Sequence, residues 1–445
     1  MTQALDPFGQ PLCLQHRSSA DAVAGFALGF LGYEPRVLDI LAAAEHDESV
    51  IVQACAAALW MFSESPSGRP KARACLDRAA RANLPCTDRE KQLAVAIACW
   101  VAGDQRGAIT THLALARSHP RDLVSVKLGQ YHAFNLGDSP TMLRLALKAL
   151  PAAGDLAAAH GMAAFAWEQC HRLHEAEAAA RCALAMRPSE PWAQHALAHV
   201  MLTDGRLREG ADFMQDSSAG WQGLTSFMRT HNWWHLAVFL LELGDDAAVL
   251  RLYDREVWGV DKTYSQDQIG AVSLLARLEM AGVAVGDRWD ELAGWLVTRT
   301  GDQVQPFLDM QYLYGLGRAG RPEADTLMAN VERFAATAPD DSRIAWQRVA
   351  VPACRGLLAH GRGRWAEAAE QLSIALPQLT AIGGSHAQRD LFEQFYIDAL
   401  QRCGRWAGAQ NLLQPRVNAQ PQSERLRRQV HEAYAALGLP KLAHH

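Results

Sequence analysis

Apolar residues recur along most of this chain at the three- and four-residue spacing of amphipathic helices. Short turns with glycine or charged residues separate these runs, and the alternation of apolar and polar positions that marks strands is almost absent. Four of the turns contain residues 103, 137, 171 and 205, which follow one another at intervals of 34 residues. The pattern predicts an all-α protein made of helical hairpins that repeat at this interval.

An interval of 34 residues is the period of tetratricopeptide repeats, each of which is a pair of helices. Alanine-rich segments follow several turns, for example at residues 174–188 and 363–376, and small side chains let the two helices of a hairpin approach closely. One hairpin cannot bury its apolar face alone, so we expect about ten hairpins to stack into a tetratricopeptide-like superhelix, an α-solenoid. It should span residues 21–445 as one continuous domain, after an irregular lead-in at residues 1–20.

Composition and charge narrow the classes of function. The 445 residues carry 43 basic and 48 acidic side chains, a net charge of −5, which argues against binding nucleic acid through phosphate contacts. The chain does not start with a basic segment followed by an apolar one, and no apolar run is long enough to cross a membrane. The nine cysteines include no Cys-x-x-Cys pair. We expect a reduced protein of the cytoplasm that binds neither nucleic acid nor a membrane.

Histidines are placed unusually on this repeat. The only ones spaced four residues apart form two pairs, His195 with His199 and His231 with His235, and each pair lies on the first helix of a hairpin. His160 begins the same kind of helix one repeat earlier. First helices of such hairpins line the concave side of a superhelix, so these five histidines are expected to form a column along that side.

Two histidines four residues apart project from one face of a helix and can bind the same metal ion. Zinc, nickel or iron would accept imidazole ligands. We take His199, His235 and His386 as the candidate metal ligands, with a divalent metal such as zinc as the candidate cofactor. Two alternatives stay open. The histidines could line a metal-free polar pocket, or they could be structural residues bonded to carbonyls and neighbouring helices.

A second polar segment lies near the end of the chain. His386 and Asp390 are four residues apart, and a carboxylate one turn from an imidazole can set its basicity for acid–base catalysis. We take His386, Asp390 and His235 as candidate catalytic residues, and Arg389 as a clamp for an anionic group. The structural alternative is a capping box formed by Ser385 and Gln388. The candidate ligand-binding residues are His160, His195, His231, Trp233, Trp234 and Arg389.

Several strings are too unusual for a generic repeat and together resemble the tetratricopeptide-repeat protein 38 family. The resemblance implies an α-superhelix and no settled biochemical activity. The segments that carry it are residues 6–9, 195–199, 230–244, 277–289 and 383–390.

Two functions from different classes fit these features. In the first, the superhelix holds an interior pocket lined by histidine and tryptophan that binds a small molecule, with metal-assisted or histidine-based hydrolase or lyase chemistry. In the second, it is a non-catalytic scaffold that binds a peptide or partner protein in its concave groove. Assembly into a homo-oligomer is compatible with both. We favour the pocket because the unusual residues gather at 160–235 and 386–390, which can meet if the superhelix makes one tight turn.

Overall fold

The computed structural model describes residues 2–439, and over this range the predicted all-α class is confirmed. The first ten α-helices, α1 to α10, are Ser19–Gly32, Asp39–Ala44, Val50–Met61, Gly68–Ala82, Asp88–Ala102, Gln105–Ser118, Leu123–Asn135, Ser139–Ala153, Ala157–Gln169 and Leu173–Met186.

The remaining α-helices, α11 to α23, are Pro191–Thr203, Leu207–Ser217, Ser226–Glu242, Asp246–Leu252, Ser265–Met280, Arg288–Leu296, Pro306–Arg318, Glu323–Thr337, Val351–Gly361, Trp365–Ala375, His386–Arg402, Trp406–Ala419 and Glu424–Ala436. Short 3₁₀ and π segments occur at Pro35–Leu38, Ser218–Trp221, Tyr253–Val257, Val297–Arg299, Ala345–Ala350 and Leu376–Ile382. None of the helices in the described part of the chain is both long and apolar enough to cross a membrane.

The helices follow the predicted repeat. Helices α7, α9, α11 and α13 start at residues 123, 157, 191 and 226, which gives steps of 34, 34 and 35 residues. Within residues 2–439, the helices α3 to α22 form ten successive pairs, the number expected from the turns. The helical-hairpin repeat of tetratricopeptide type is therefore present.

Glycine followed by aspartate explains several of the turns between paired helices. Gly103 and Gly137 adopt the left-handed conformation, with φ of 90° and 70°, which favours glycine. The next residue in each turn, Asp104 or Asp138, accepts a hydrogen bond from a backbone N–H in the first turn of the following helix. One dipeptide therefore ends one helix and caps the next.

The first residues are not the irregular lead-in that we expected. Strands Thr2–Leu5 (β1) and Pro11–Leu14 (β2) pair as an antiparallel hairpin, with Gln3 opposite Cys13. In the turn, the carboxylate of Asp6 accepts hydrogen bonds from the backbone N–H groups of Phe8 and Gln10. Leu12 and Leu14 are fully buried, and their burial holds the hairpin against the helices.

The chain divides into two compact units. Unit 1 contains the residues up to Leu197 and Gly220–Met228, and unit 2 contains Ala198–Ala219 and the residues from Arg229 onward. The division falls inside α11 and α13, so both helices contribute to both units. A single continuous domain over residues 21–445 stays a prediction.

Unit 2 closes on itself, because its last helices return to its first ones. The side chain of Gln420 donates to the backbone carbonyl of Leu202, over a distance of 2.7 Å. The guanidinium of Arg425 donates to the carboxylate of Glu242 through Nε and Nη2, at 2.9 and 2.7 Å, and Ser423 also donates to this carboxylate. These partners are about 180 to 220 residues apart in sequence.

The closing ion pair is buried and charged. Glu242 and Arg425 are both buried. Burial raises the pKa of Glu242, but the charge and hydrogen bonds of Arg425 outweigh burial and leave this pKa below its ordinary value. The carboxylate is therefore ionised at neutral pH, and the charge pair holds the C-terminal helices in place.

Replacing Glu242 with glutamine should lower the free energy of unfolding by about 3–5 kcal/mol, because it leaves the buried Arg425 without a counter-ion. Urea unfolding followed by circular dichroism measures this change. The control is Glu332→Gln, which breaks an exposed pair with Arg355 and should change the free energy by less than about 1 kcal/mol. Equal effects of the two substitutions would show that the closing pair is not important for stability.

Candidate functional site

Buried polar side chains of unit 2 lie on alternate helices. Within the described part of the chain, the buried side chains of α12, α14, α16, α18, α20 and α22 are apolar. The first helix of each pair differs, because α13, α15, α17, α19 and α21 all bury polar groups, which are Thr230, Asn232, His235, Glu242, Ser265, Asp267, Gln268, Ser273, Arg277, Asp309, Gln311, His360, Arg389, Gln394, Asp398 and Gln401. Polarity is therefore concentrated where the repeat predicts the concave side.

Three of these histidines come together within unit 2. Each of His199, His231 and His235 offers one ring nitrogen, and these three nitrogens lie within 4.8 Å of one another. The ring centroids of His199 and His235 are 4.6 Å apart, and those of His231 and His235 are 4.8 Å apart. We refer to these three residues as the histidine cluster. His195 belongs to unit 1, and its role as a ligand contact stays a prediction. Among the described residues of unit 2, no other group of three or more His, Cys, Asp or Glu could hold a metal ion.

A tryptophan fixes the orientation of one of these imidazoles, because the ring of Trp234 stacks on His231 at a centroid distance of 5.4 Å. In unit 1, the ring of Trp192 stacks on His195 at 4.4 Å. Burial, and to a lesser extent the charge of His199, lowers the pKa of His231 to about 3. The imidazole of His231 is therefore neutral at physiological pH, which is the form that binds metal ions.

Arg277 on α15 links the histidine-bearing helix α13 to the start of α21. Its guanidinium carbon lies 5.6 Å from the ring centroid of Trp234. Its Nη1 donates to Asp390 over 3.0 Å, and its Nη2 donates to the backbone carbonyl of Ala387 over 2.8 Å. Within unit 2, the segments around Trp234 and Asp390 are thus joined through a single buried arginine.

Asp390 connects three helices. Its carboxylate accepts hydrogen bonds from Arg277, Arg416 and Gln394. Hydrogen bonds between a guanidinium and a carboxylate are charge-assisted and therefore strong. Asp390 thus holds α15 and α22 to α21, and its catalytic role beside His386 stays a prediction.

The structure also assigns local roles to the residues before Asp390. Ser385 and Gln388 form the capping box that was the structural alternative. Arg389 donates to the backbone carbonyls of Gly383 and Gly384, and its Nη2 lies 3.1 Å from Nδ1 of His386. Arg389 therefore stabilises this turn, and its use as a clamp for a ligand anion stays a prediction.

Three other predicted residues lie elsewhere. His160 is part of unit 1, where its Nε2 lies 2.9 Å from the carbonyl oxygen of Gly154, so it is outside the histidine cluster. His386 is also outside the cluster, which contains His231 instead. Trp233 is half-buried, whereas Trp234 is buried and contacts both His231 and His235.

Several buried polar atoms of the first helices have no hydrogen-bond partner among the described residues. They are both amide atoms of Asn232, Nε1 of Trp234 and both carboxyl oxygens of Asp309. Asn232 is 0% exposed and Asp309 is 1% exposed. Such atoms are rare in folded proteins, because removing a polar group from water without a partner is unfavourable. They are therefore candidate contacts for a bound molecule or an ordered water.

Arg277 and Asp309 were missed from the sequence, although a signal was present. Each is a charged residue inside a largely apolar helical segment, at Val272–Leu278 and Phe307–Leu316. Charged residues are almost never fully buried unless they are paired, so such positions indicate a buried polar contact. The partner of Arg277 lies 113 residues away and cannot be identified from local spacing.

No protein-family model matches the chain. Among solved structures, the human IFIT1 dimer with PPP-AAAA is 12% identical, with a match that covers 84% of this chain and 85% of that chain at a TM-score of 0.40. The structure of Naa15/Naa10 bound to HypK-THB is 11% identical, with a match over 96% of this chain and 67% of that chain at a TM-score of 0.26. These scores are too low to support an argument, so the fold assignment rests on the helices described above.

The carboxyl group of Asp309 should make stability depend on pH. Burial, with a further contribution from the charge of Asp302, raises its pKa well above the ordinary value. The folded protein therefore keeps a proton that the unfolded chain releases, and stability falls as the pH rises above about 4. Asp309→Asn should stabilise the protein at pH 7.5 by at least the roughly 1.4 kcal/mol that one pKa unit represents.

Urea unfolding at pH 4 and pH 7.5 tests this expectation, because the gain should disappear at the lower pH. Asp212→Asn, at an exposed position, is the control and should show no such dependence. A loss of stability in Asp309→Asn at pH 7.5 would mean that the carboxylate is ionised and has a partner.

Proposed function

We propose that unit 2 binds a small polar molecule among its first helices. The observation that carries this proposal is the set of buried polar atoms without a partner, namely those of Asn232, Trp234 and Asp309. They lie on α13 and α17, two of the helices that bury polar groups, in a unit whose ends are tied together. A bound molecule with donors and acceptors would satisfy these atoms, whereas an empty apolar core would not contain them.

The chemistry that these residues favour is proton transfer or metal-assisted polarisation. The proposed reaction class is therefore hydrolysis or elimination, with His235 and His386 as the groups that move protons and His231, Trp233, Trp234 and Arg389 as ligand contacts. Imidazole is the side chain best suited to proton transfer near neutral pH. The partnership of Asp390 with His386 is part of this proposal, with Arg277 and Arg416 paired to the same carboxylate.

The burial of the cluster favours this function over a groove that binds a peptide or partner protein. His199 and His235 are 1% and 0% exposed, so a partner protein at the surface would not reach them. A protein-binding scaffold would instead need its unusual residues on an accessible face.

Two further parts of the proposal have sequence support. The strings that resemble the tetratricopeptide-repeat protein 38 family include those with His195, His199, His231, His235, Arg277 and Asp390, so we propose that the chain is a divergent member of that family. All nine cysteines are free thiols, which supports the proposed reducing, cytoplasmic location.

A bound molecule can be detected directly. The purified protein is incubated with a cell extract filtered to contain only small molecules, and native mass spectrometry should then show an added mass that denaturation releases. Asn232→Leu should lose the added mass. The ligand-free variant should be at least as stable as the wild type, because leucine removes an amide whose unpaired burial costs about 1–3 kcal/mol.

The matched control is Gln130→Met in unit 1. The amide of Gln130 donates to the carbonyls of Met142 and Met162, so its replacement should lower stability and leave the added mass unchanged. If Asn232→Leu is destabilised to the same degree as Gln130→Met, its amide has a structural partner and the main support for the proposal is lost.

A further inference from the structure

We propose that the histidine cluster binds one divalent transition-metal ion through three imidazole nitrogens. This inference does not depend on the small molecule proposed above, because a metal ion can bind to the three side chains alone. When the ion is bound, His235 is a ligand, and the proton-transfer role in the proposed function falls to His386. The ligand set differs from the one expected from the sequence, in which His386 stood where His231 now stands.

The geometry comes from two adjacent helices. His199 lies on α11, and His231 and His235 are one turn apart on α13. The α13 pair therefore projects from one side of its helix and meets His199, with all three ligand nitrogens within 4.8 Å of one another. This is the arrangement in which one ion can be bound from two sides.

The distances need a moderate adjustment. Two nitrogens that bind one zinc ion at about 2.0–2.1 Å with tetrahedral angles are about 3.3–3.4 Å apart. The cluster nitrogens lie within 4.8 Å of one another, so the widest pair has to close by at most roughly 1.5 Å, which side-chain rotations can supply. His199 and His235 are buried, and His231 is partly exposed, so an ion can reach the cluster from the side of His231.

The donor atoms decide the class of metal. All three are imidazole nitrogens, and no carboxylate or thiolate belongs to the group. Calcium and magnesium prefer oxygen ligands, so they are poor candidates. Imidazole suits zinc, nickel, copper and iron, and three such ligands would leave the fourth position of a tetrahedral zinc ion open.

The surroundings hold the ligands in place. The stacked ring of Trp234 restricts rotation of His231. Next to His231, the hydroxyl of Thr230 donates to the carboxylate of Asp267 over 3.0 Å, which fixes the start of α13 against α15. Residues that orient the ligands in this way are a regular feature of metal sites.

The test is a titration of tag-free full-length protein, stripped with a chelator, with Zn²⁺ alone. Isothermal titration calorimetry should show one ion bound per chain. His199→Ala and His235→Ala should each weaken binding by about 100-fold or more, since each removes a buried ligand. His231→Ala should weaken it by about 10-fold or more, and the control His160→Ala by less than about 2-fold.

A second measurement needs no variant, in case a substitution prevents folding. Co²⁺ added to the stripped wild-type protein should give the visible absorption bands of cobalt bound to nitrogen ligands, and Zn²⁺ should remove them. Absence of saturable Zn²⁺ binding and of these bands would overturn the proposal. Binding that survives in folded His199→Ala and His235→Ala would overturn it as well, because the ion would then be held elsewhere. Asn232→Leu should bind Zn²⁺ as the wild type does, which separates failure of this site from failure of the small-molecule proposal.

Discussion

The buried carboxylate of Glu242 is the contact on which the arrangement of unit 2 depends. It joins α13 to residues more than 180 positions later, and both it and Arg425 are removed from water. A charge in such a place is tolerated only with its counter-ion, so the pair specifies one closed arrangement of helices. Arg277 adds a second connection between α15 and α21, close to Trp234. Because these contacts tie the last helices of unit 2 to its first ones, many polar groups can be buried inside this unit.

The alternation of polar and apolar helices has a functional meaning. The second helix of each pair in unit 2 buries only apolar side chains, which is what packing between hairpins requires. The first helix of each pair buries apolar side chains for the same packing, and it buries polar groups as well. Part of this polar set is structural, as for His360, which lies 2.9 Å from the carboxylate of Asp398. Asn232 and Asp309 have buried polar atoms for which the described residues supply no partner, and they support the first proposal, whereas the geometry of the histidine cluster supports the second.

Local rules predicted the fold well. The turn glycines and the interval of 34 residues sufficed for the class, the helical pairs and their number, because each hairpin is specified by its own segment. The hairpin formed by β1 and β2 was missed, since two strands of four residues carry too little alternation to be recognised.

The site was predictable only in part. Histidines four residues apart on one helix are visible in the sequence, and the repeat brings His199 next to His231 and His235. The partners of Asp390 were not predictable, because Arg277 and Arg416 reach it from other helices. Spacing on one helix indicates which side chains share a face, but competition from other helices decides which of them form a bond.

A crystal structure of the full-length protein grown with Zn²⁺, with anomalous data collected at the zinc edge, would test both proposed sites of unit 2 together. We expect one anomalous peak about 2 Å from ring nitrogens of His199 and His235, and density for a non-protein molecule or ordered water at Asn232 and Asp309. A structure without that peak, in which protein groups satisfy the amide of Asn232 and the carboxyl of Asp309, would contradict this expectation.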